Sequence, residues 1–203
     1  MKKLLVFAIV AFGMVTGAQA QEVNFGAKAG VNFASFSGDD ADDAEFDGKT
    51  GFHLGVIAEI AFSSRFSVQP EVLYSTRGAK NSDFFFEDEF GDDMSGEIDV
   101  KLDYIEIPIM LKYYVAQGFS LQAGPQLSFN TKSEMEFSDG SDSITIGVED
   151  ETESFEFGGA VGVGYDLPVG VFFQGRYTMG FSDVYTDSDI RNNVFQLSVG
   201  YKF

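Results

Sequence analysis

The chain has 203 residues, with 32 acidic and 13 basic side chains and a formal net charge of −19. The absence of cysteine excludes disulfides, thiolate metal sites and cysteine nucleophiles, and a single histidine excludes a His-rich metal centre within one chain. The acidic balance argues against nucleic acid as a partner, because nucleic-acid binding needs clustered Lys and Arg. With 23 Gly, 23 Phe and four Pro, the composition indicates strands rather than helices.

Residues 1–20 have the pattern of a secretory signal peptide. Lys2 and Lys3 precede an apolar run of about twelve residues, and the small residues Ala18 and Ala20 stand where a signal peptidase cleaves. The apolar run is too short for a membrane-spanning helix, which needs roughly 20 residues. No Cys follows the cleavage site, which excludes a lipid anchor. We therefore predict a cleaved signal peptide (1–20) followed by one domain (21–203).

Eight segments then alternate apolar and polar residues with period two, which predicts strands with two different faces. Their bounds are 25–33, 52–62, 66–76, 105–113, 119–129, 155–165, 171–181 and 195–203.

The connections between these segments alternate strictly between short and long. Short turns are predicted at 63–65, 116–118 and 167–170, and long loops at 36–49, 79–97, 131–153 and 182–192. All long loops therefore emerge at one end and both termini lie at the other. Short periplasmic turns and long extracellular loops are the layout of bacterial outer-membrane barrels.

The two faces of the predicted strands differ sharply in charge. The apolar face has 45 positions and no charged residue. The opposite face is rich in glycine and carries nine charges: Lys28, Glu59, Glu71, Arg77, Glu106, Lys112, Glu156, Arg176 and Lys202. A soluble barrel or sandwich would cover its outside with Lys and Glu, whereas this polar face suits a crowded lumen. We predict an all-β fold: an eight-stranded antiparallel up-and-down transmembrane β-barrel.

Aromatic residues are predicted to form two belts at the membrane interfaces. The short-turn belt comprises Phe62, Phe66, Tyr113, Phe119, Tyr165, Tyr201 and Phe203; the loop belt comprises Phe33, Phe52, Tyr74, Phe129, Phe155 and Phe181. Tyr201 and Phe203 also end the last strand, where a terminal aromatic resembles the signal read by the barrel assembly machinery. The simpler interpretation is that Phe203 is the last lipid-facing residue, and both can hold.

Several strand motifs resemble the small Bacteroidetes-type outer-membrane β-barrel family, often labelled PorT-like or "porin family". The similar segments are 68–75 (VQPEVLYS), 102–108 (LDYIEIP), 121–126 (LQAGPQ) and 195–203. The resemblance spans 21–203 and implies a barrel surrounded by outer-membrane lipid and lipopolysaccharide and inserted by the barrel assembly machinery. It implies no particular activity. Pro70, Pro108 and Pro125 depart from simple strand chemistry, since a proline lacks a backbone donor; a local bulge or a lumen water would accommodate them.

The lumen charges comprise five cations and four anions, close to balance. In a narrow interior, charges must pair because desolvation is costly. We expect a salt-bridge network that plugs the barrel, and the alternative is a gated pore or a proton path.

His53, the single histidine, is predicted to face the lumen. Some small outer-membrane barrels are lipid A-modifying enzymes that use a His and Ser pair. A hydrogen-bonded structural histidine is the simpler expectation.

The four long loops contain 24 of the 32 acidic residues. Solvated, mutually repelling loops are expected, and weak Ca²⁺ or Mg²⁺ binding is the alternative. The candidate ligands are Asp39, Asp40, Asp42, Asp43, Glu87, Asp88 and Glu89. Phe84, Phe85 and Phe86 suggest contact with a partner or lipid, or a sheet that continues beyond the bilayer.

The sequence thus favours a non-enzymatic outer-membrane barrel without a cofactor, with a plugged lumen, acidic extracellular loops and a structural or surface-interaction role. Its surface partner is not specified by the sequence. A narrow solute pore or secretion-machinery accessory is one alternative, and a lipid A-modifying enzyme is another.

Overall fold

A computed structural model describes residues 22–38, 47–87, 93–138, 143–148, 152–185 and 189–203. The predicted signal peptide, with Ala18 and Ala20, lies outside the described residues. Within the described ranges, no helix has the length and apolarity needed to cross a membrane.

The described residues form nine antiparallel strands, and eight of them close into a ring. The strands are β1 (Glu22–Ser37), β2 (Asp47–Ala61), β3 (Phe66–Glu87), β4 (Asp93–Tyr114), β5 (Phe119–Ser138), β6 (Ser143–Gly147), β7 (Phe155–Asp166), β8 (Val171–Gly180) and β9 (Arg191–Lys202). The ring runs β1-β2-β3-β4-β5-β7-β8-β9 and closes by pairing of β9 with β1. The predicted eight-stranded barrel is confirmed, and β6 is an additional strand outside the ring.

The additional strand β6 joins the sheet at the point where β5 changes its pairing partner. From Phe119 to Phe129, β5 pairs with β7, and from Glu134 to Ser138 it pairs with β6. Beyond the ring, β3, β4, β5 and β6 therefore form a four-stranded sheet, here called the sheet extension.

The predicted loops 79–97 and 131–153 are partly wrong. Residues 79–87, 93–97, 131–138 and 143–147 are strands. These segments carry charged residues where the predicted strands have an uncharged apolar face. A strand that rises beyond the apolar band can carry charge on its outer face, so charge there does not mark a loop.

Side chains alternate between outside and inside along every ring strand. Val56 is 59% exposed on the outer face, whereas the inward Glu106 is fully buried. Aromatic pairs occur on the outer face at both ends. Phe66 and Tyr113 have ring centroids 4.8 Å apart near the short turns, and Phe52 and Tyr74 are 6.0 Å apart toward the long loops. We call these the short-turn end and the long-loop end.

Each strand proline coincides with a gap in a ladder. β2 and β3 are unpaired opposite Pro70, β3 and β4 opposite Pro108, and β4 and β5 opposite Pro125. The register is the same on both sides of every gap, so the chain accommodates the missing donor by local loss of pairing and not by a bulge.

Inward glycines make room for large neighbours. A Cβ on Gly200 would lie 2.2 Å from the ring of Phe172, and a Cβ on Gly30 would lie 2.6 Å from the imidazole of His53. The glycine-rich face is therefore a filled interior, in agreement with the small diameter of an eight-stranded barrel.

Candidate functional site

The barrel interior holds all nine charged residues that the alternation pattern placed there, together with a tenth, Asp166. Eight of the nine are at most 5% exposed, and Lys202 is partly buried at the short-turn end. Asp166 ends β7 and joins the network through Lys202 and Lys112. The nine lumen charges predicted from the sequence do not include Asp166, although Asp166 continues the inward-facing series of Gly162 and Gly164. With Asp166 the interior has five cations and five carboxylates.

The middle of the lumen is organised around the carboxylate of Glu71. Arg176 donates from Nη2 to Oε1 (2.7 Å) and from Nη1 to Oε2 (3.0 Å). Lys28 lies 2.7 Å from Oε2, and Gln69 Nε2 donates to Oε1 at 2.7 Å. Four donor groups thus hold one buried carboxylate, and charge-assisted hydrogen bonds of this kind are among the strongest in proteins.

Toward the long-loop end, Arg77 bridges two carboxylates. Its Nε and Nη2 donate to Glu106 Oε1 at 3.0 and 2.6 Å, and its Nη1 lies 3.6 Å from Glu156. The hydroxyl of Tyr104 donates to Glu156, and its ring packs under the Arg77 guanidinium, 4.8 Å from the ring centroid.

A third cluster lies near the short-turn end. Lys112 is 3.1 Å from Glu59 and 3.4 Å from Asp166, and Lys202 binds both carboxylates. The Tyr114 hydroxyl lies 2.5 Å from Glu59 and 2.6 Å from Asp166. Glu59, Tyr114 and Lys202 also line a pocket of about 420 Å³ that opens at this end. The three clusters together span the interior from one end to the other.

An apolar cluster covers the interior at the long-loop end, and we call it the apolar cap. Its buried members are Phe36, Ala79, Val100, Leu102, Tyr104, Val184 and Ile190. Val184 and Ile190 come from the β8–β9 connection, where the Val184 N–H donates to the Ile190 carbonyl at 2.7 Å. The Glu153 N–H donates to the Val184 carbonyl at 2.8 Å, which ties this connection to the β6–β7 connection.

His53 is buried and hydrogen-bonded at both ring nitrogens. Nδ1 lies 2.7 Å from Asn32 Oδ1, and Nε2 lies 2.8 Å from Ser198 Oγ. Asn32 Nδ2 lies 2.9 to 3.0 Å from three oxygens, one of them Ser75 Oγ, which fixes the orientation of the amide; its Oδ1 therefore accepts from the imidazole. This assigns the proton to Nδ1 and makes Nε2 the acceptor for the Ser198 hydroxyl. The imidazole therefore meets a serine and an amide, and its hydrogen bonds involve no carboxylate.

The sheet extension has one charged and one apolar face. On the charged face, Lys80 pairs with Glu97 at 2.7 Å, and Lys101 pairs with Glu136. The hydrogen bond to Glu97 raises the pKa of Lys80 above its ordinary value, and the bond to Glu136 does the same for the pKa of Lys101.

The apolar face of the extension continues from the cap to its open edge. Ile98 and Met135 pack against the cap, and the row ends on β6 at Ile146 and Ile144. Ile144 is 67% exposed and Ile146 is 50% exposed. No described strand pairs with the far edge of β6, which ends the sheet order.

Most of the predicted acidic metal ligands lie outside the described residues. Asp39, Asp40, Asp42, Asp43, Asp88 and Glu89 lie outside the described residues, and Glu87 is described only as the last backbone position of β3. Among the side chains that the structure does describe, no three His, Asp or Glu residues are placed to hold a metal ion together.

The predicted assembly-signal residues lie on the outer face at the short-turn end. Tyr201 and Phe203 have ring centroids 5.8 Å apart, and the Phe203 N–H donates to the Phe25 carbonyl at 2.8 Å. This bond extends the β1–β9 closure to the last residue.

Comparison with known proteins agrees with the fold. The sequence profile of the outer membrane protein beta-barrel domain matches residues 18–186. No curated protein sequence matches the chain. Among solved structures, neisserial surface protein A is similar with 17% identity, a TM-score of 0.55 and coverage of 90% of this chain and 99% of that one.

Two further solved barrels are similar at the level of the fold. The attachment invasion locus protein Ail of Yersinia pestis has 14% identity and a TM-score of 0.51 over 90% of this chain and 99% of that one. A major outer membrane protein of Thermus thermophilus has 15% identity and a TM-score of 0.51 over 89% and 99% of the two chains.

Proposed function

Because the chain belongs to the outer membrane protein beta-barrel domain family, we propose that it is a non-enzymatic surface-interaction barrel. In this proposal the interior is a structural plug, and the sheet extension binds an extended polypeptide outside the cell. The barrel itself lies in the bacterial outer membrane, surrounded by lipid and lipopolysaccharide.

The proposed orientation puts both termini in the periplasm and the sheet extension outside the cell. Both ends of the described chain, Glu22 and Phe203, lie at the short-turn end. Short periplasmic turns are the rule in barrels of this class. Insertion by the barrel assembly machinery and membership of the PorT-like Bacteroidetes group remain part of the proposal.

Three ion-pair clusters and the apolar cap support a closed interior. Ion pairs cross the lumen at successive levels, and the cap adds an apolar layer that water-solvated ions would have to cross. These contacts favour a structural interior over the solute pore or secretion accessory. The hydrogen bonds of His53 also support the non-enzymatic proposal, because Asn32 and not a carboxylate contacts Nδ1.

The observation that carries the surface role is the far edge of β6, with which none of the described strands pairs. An exposed strand edge offers backbone donors and acceptors to a further strand, and side-chain pockets add selectivity. Ile144 and Ile146 lie on the same face of this edge and are mostly exposed. The surrounding segment 131–153 has eight acidic residues and one basic residue. The edge therefore suits an extended partner with alternating apolar and basic side chains.

Fluorescence anisotropy with a labelled peptide of alternating Val and Lys tests this role on the barrel refolded in nanodiscs. We expect saturable binding that is lost in the variant Ile144→Thr/Ile146→Thr. Val169→Thr is the matched control, because Val169 is 69% exposed in a short turn and should not affect binding. Equal binding of a peptide with the same composition but four Val followed by four Lys would contradict strand addition and indicate simple charge attraction.

A further inference from the structure

A small cavity lies beside Arg77 and Glu156, within the cluster at the long-loop end of the interior. The space open to the centre of a water molecule is about 10 Å³, and the walls include Gln126, Glu156, Thr178 and Asn192. A buried water needs at least about 10–15 Å³ by this measure and two to four polar partners. The cavity is therefore the size of one water molecule.

Two glycines open this space. Gly158 pairs with Gln126 on one side and with Gly180 on the other. Both glycines line the cavity, so two adjacent strands have no inward side chain at this level. Gln126 of β5 and Asn192 of β9 are thus left on either side of the opening.

The two side chains that flank the opening each have an unsatisfied polar atom. Gln126 Nε2 and Asn192 Oδ1 have no hydrogen-bond partner among the described protein atoms, although both residues are only 1% exposed. The other atom of each amide is engaged: Gln126 Oε1 accepts from Thr178 Oγ1 at 3.4 Å, and Asn192 Nδ2 lies 3.5 Å from the Glu156 carboxylate. A buried amide without a partner is costly, so one donor and one acceptor remain to be satisfied.

We propose that this cavity binds one ordered water molecule, which accepts a hydrogen bond from Gln126 Nε2 and donates one to Asn192 Oδ1. The water connects β5 to β9 across the two glycine positions. It thereby completes the polar packing beneath the cap without opening a path through it. A water suits the site better than a cation, because the two charged residues that line the cavity, Arg77 and Glu156, already pair with each other at 3.6 Å.

Nuclear Overhauser spectroscopy on the perdeuterated, amide-protonated barrel in nanodiscs tests the site directly. We expect a cross-peak between the Gln126 side-chain amide and a long-lived water. Gln126→Met removes the amide that would hold the water and should lower the midpoint of thermal unfolding by a few degrees, whereas Gln117→Met in an exposed turn should leave the midpoint unchanged.

Two results would overturn the proposal. If the amide shows no water cross-peak and Gln126→Met raises the unfolding midpoint, the cavity is dry and the amide is simply unsatisfied. If replacing Na⁺ by a bulky organic cation at constant ionic strength shifts the Gln126 amide resonance, the occupant is a monovalent cation and not a water.

Discussion

Arg176 and Glu71 connect opposite walls of the barrel through two hydrogen bonds of 2.7 and 3.0 Å. They lie on β8 and β3, which are four strands apart in either direction around the ring of eight. Both side chains are almost completely buried. This pair therefore braces the barrel across its diameter, and Lys28 supplies a second cation to the same carboxylate.

Replacing Arg176 with Met should destabilise the barrel strongly. Removing one partner of a buried ion pair typically costs about 3–5 kcal/mol, because the remaining charge loses its compensation. Urea unfolding of the barrel in lipid vesicles gives the free energy. The matched control is Arg191→Met, since Arg191 pairs with Asp183 and Asp189 at the exposed surface and should contribute at most about 1 kcal/mol. Similar losses for the two variants would contradict the bracing role.

Removal of one hydroxyl tests the cluster around Arg77. Tyr104→Phe deletes the donor to the buried Glu156 and should cost about 1.5–3 kcal/mol, the usual contribution of a hydrogen bond to a charged group. Tyr74→Phe deletes a hydroxyl that donates to the part-buried Asp103 at 2.8 Å and should cost about 1 kcal/mol or less. The difference in unfolding free energy between the two variants is the quantity to measure. An equal loss would indicate that Glu156 is hydrated.

A charged substitution at the middle of the apolar outer face tests contact with lipid. Val56→Lys should cost about 2–4 kcal/mol in a bilayer, because Val56 lies midway between the two aromatic belts. Thr145→Lys on β6, outside the bilayer, should change the unfolding free energy by about 0.5 kcal/mol at most. If Val56→Lys were as mild as Thr145→Lys, the outer face at Val56 would be in contact with water.

Two glycines in neighbouring strands should respond oppositely to alanine. A Cβ at the inward Gly200 would meet the Phe172 ring, so Gly200→Ala should cost about 1–3 kcal/mol through overpacking. At the outward Gly175 the nearest atom to a new Cβ is Leu197 Cδ2 at 3.7 Å, so Gly175→Ala should be neutral or slightly stabilising. Thermal unfolding of both variants measures the contrast. A Gly200→Ala barrel of unchanged stability would mean that the interior can accommodate an additional methyl group beside Phe172.

The orientation of the lumen residues follows from the sequence, but their pairing does not. Alternation with period two places Glu71 and Arg176 on the same face of their strands, and this holds in the structure. Which cation meets which carboxylate depends on the stagger of strands around the ring, and these two residues are 105 positions apart. Local pattern carries no information on that stagger.

The sheet extension shows a different limit of the sequence analysis. Lys80, Asp99 and Lys101 alternate with inward apolar residues as regularly as the residues inside the membrane band do. The segments 79–97 and 131–153 are predicted as loops because charge there ends the uncharged apolar row that marks the predicted strands. Outside the bilayer the outer face meets water, and the same period-two pattern then has charged residues on that face. Strand β6 has only five residues, too few for a period-two pattern to stand out.

Single-channel recording on the refolded barrel in planar bilayers tests the closed interior most directly. Its ion pairs and apolar cap predict no conductance steps, with or without Ca²⁺, under conditions in which a general porin opens. The variant Arg176→Met should remain silent if it stays folded, because the clusters at Arg77 and Glu59 and the cap still close the lumen. Steady openings of the unaltered barrel would contradict the structural plug and would assign the lumen charges to a transport path.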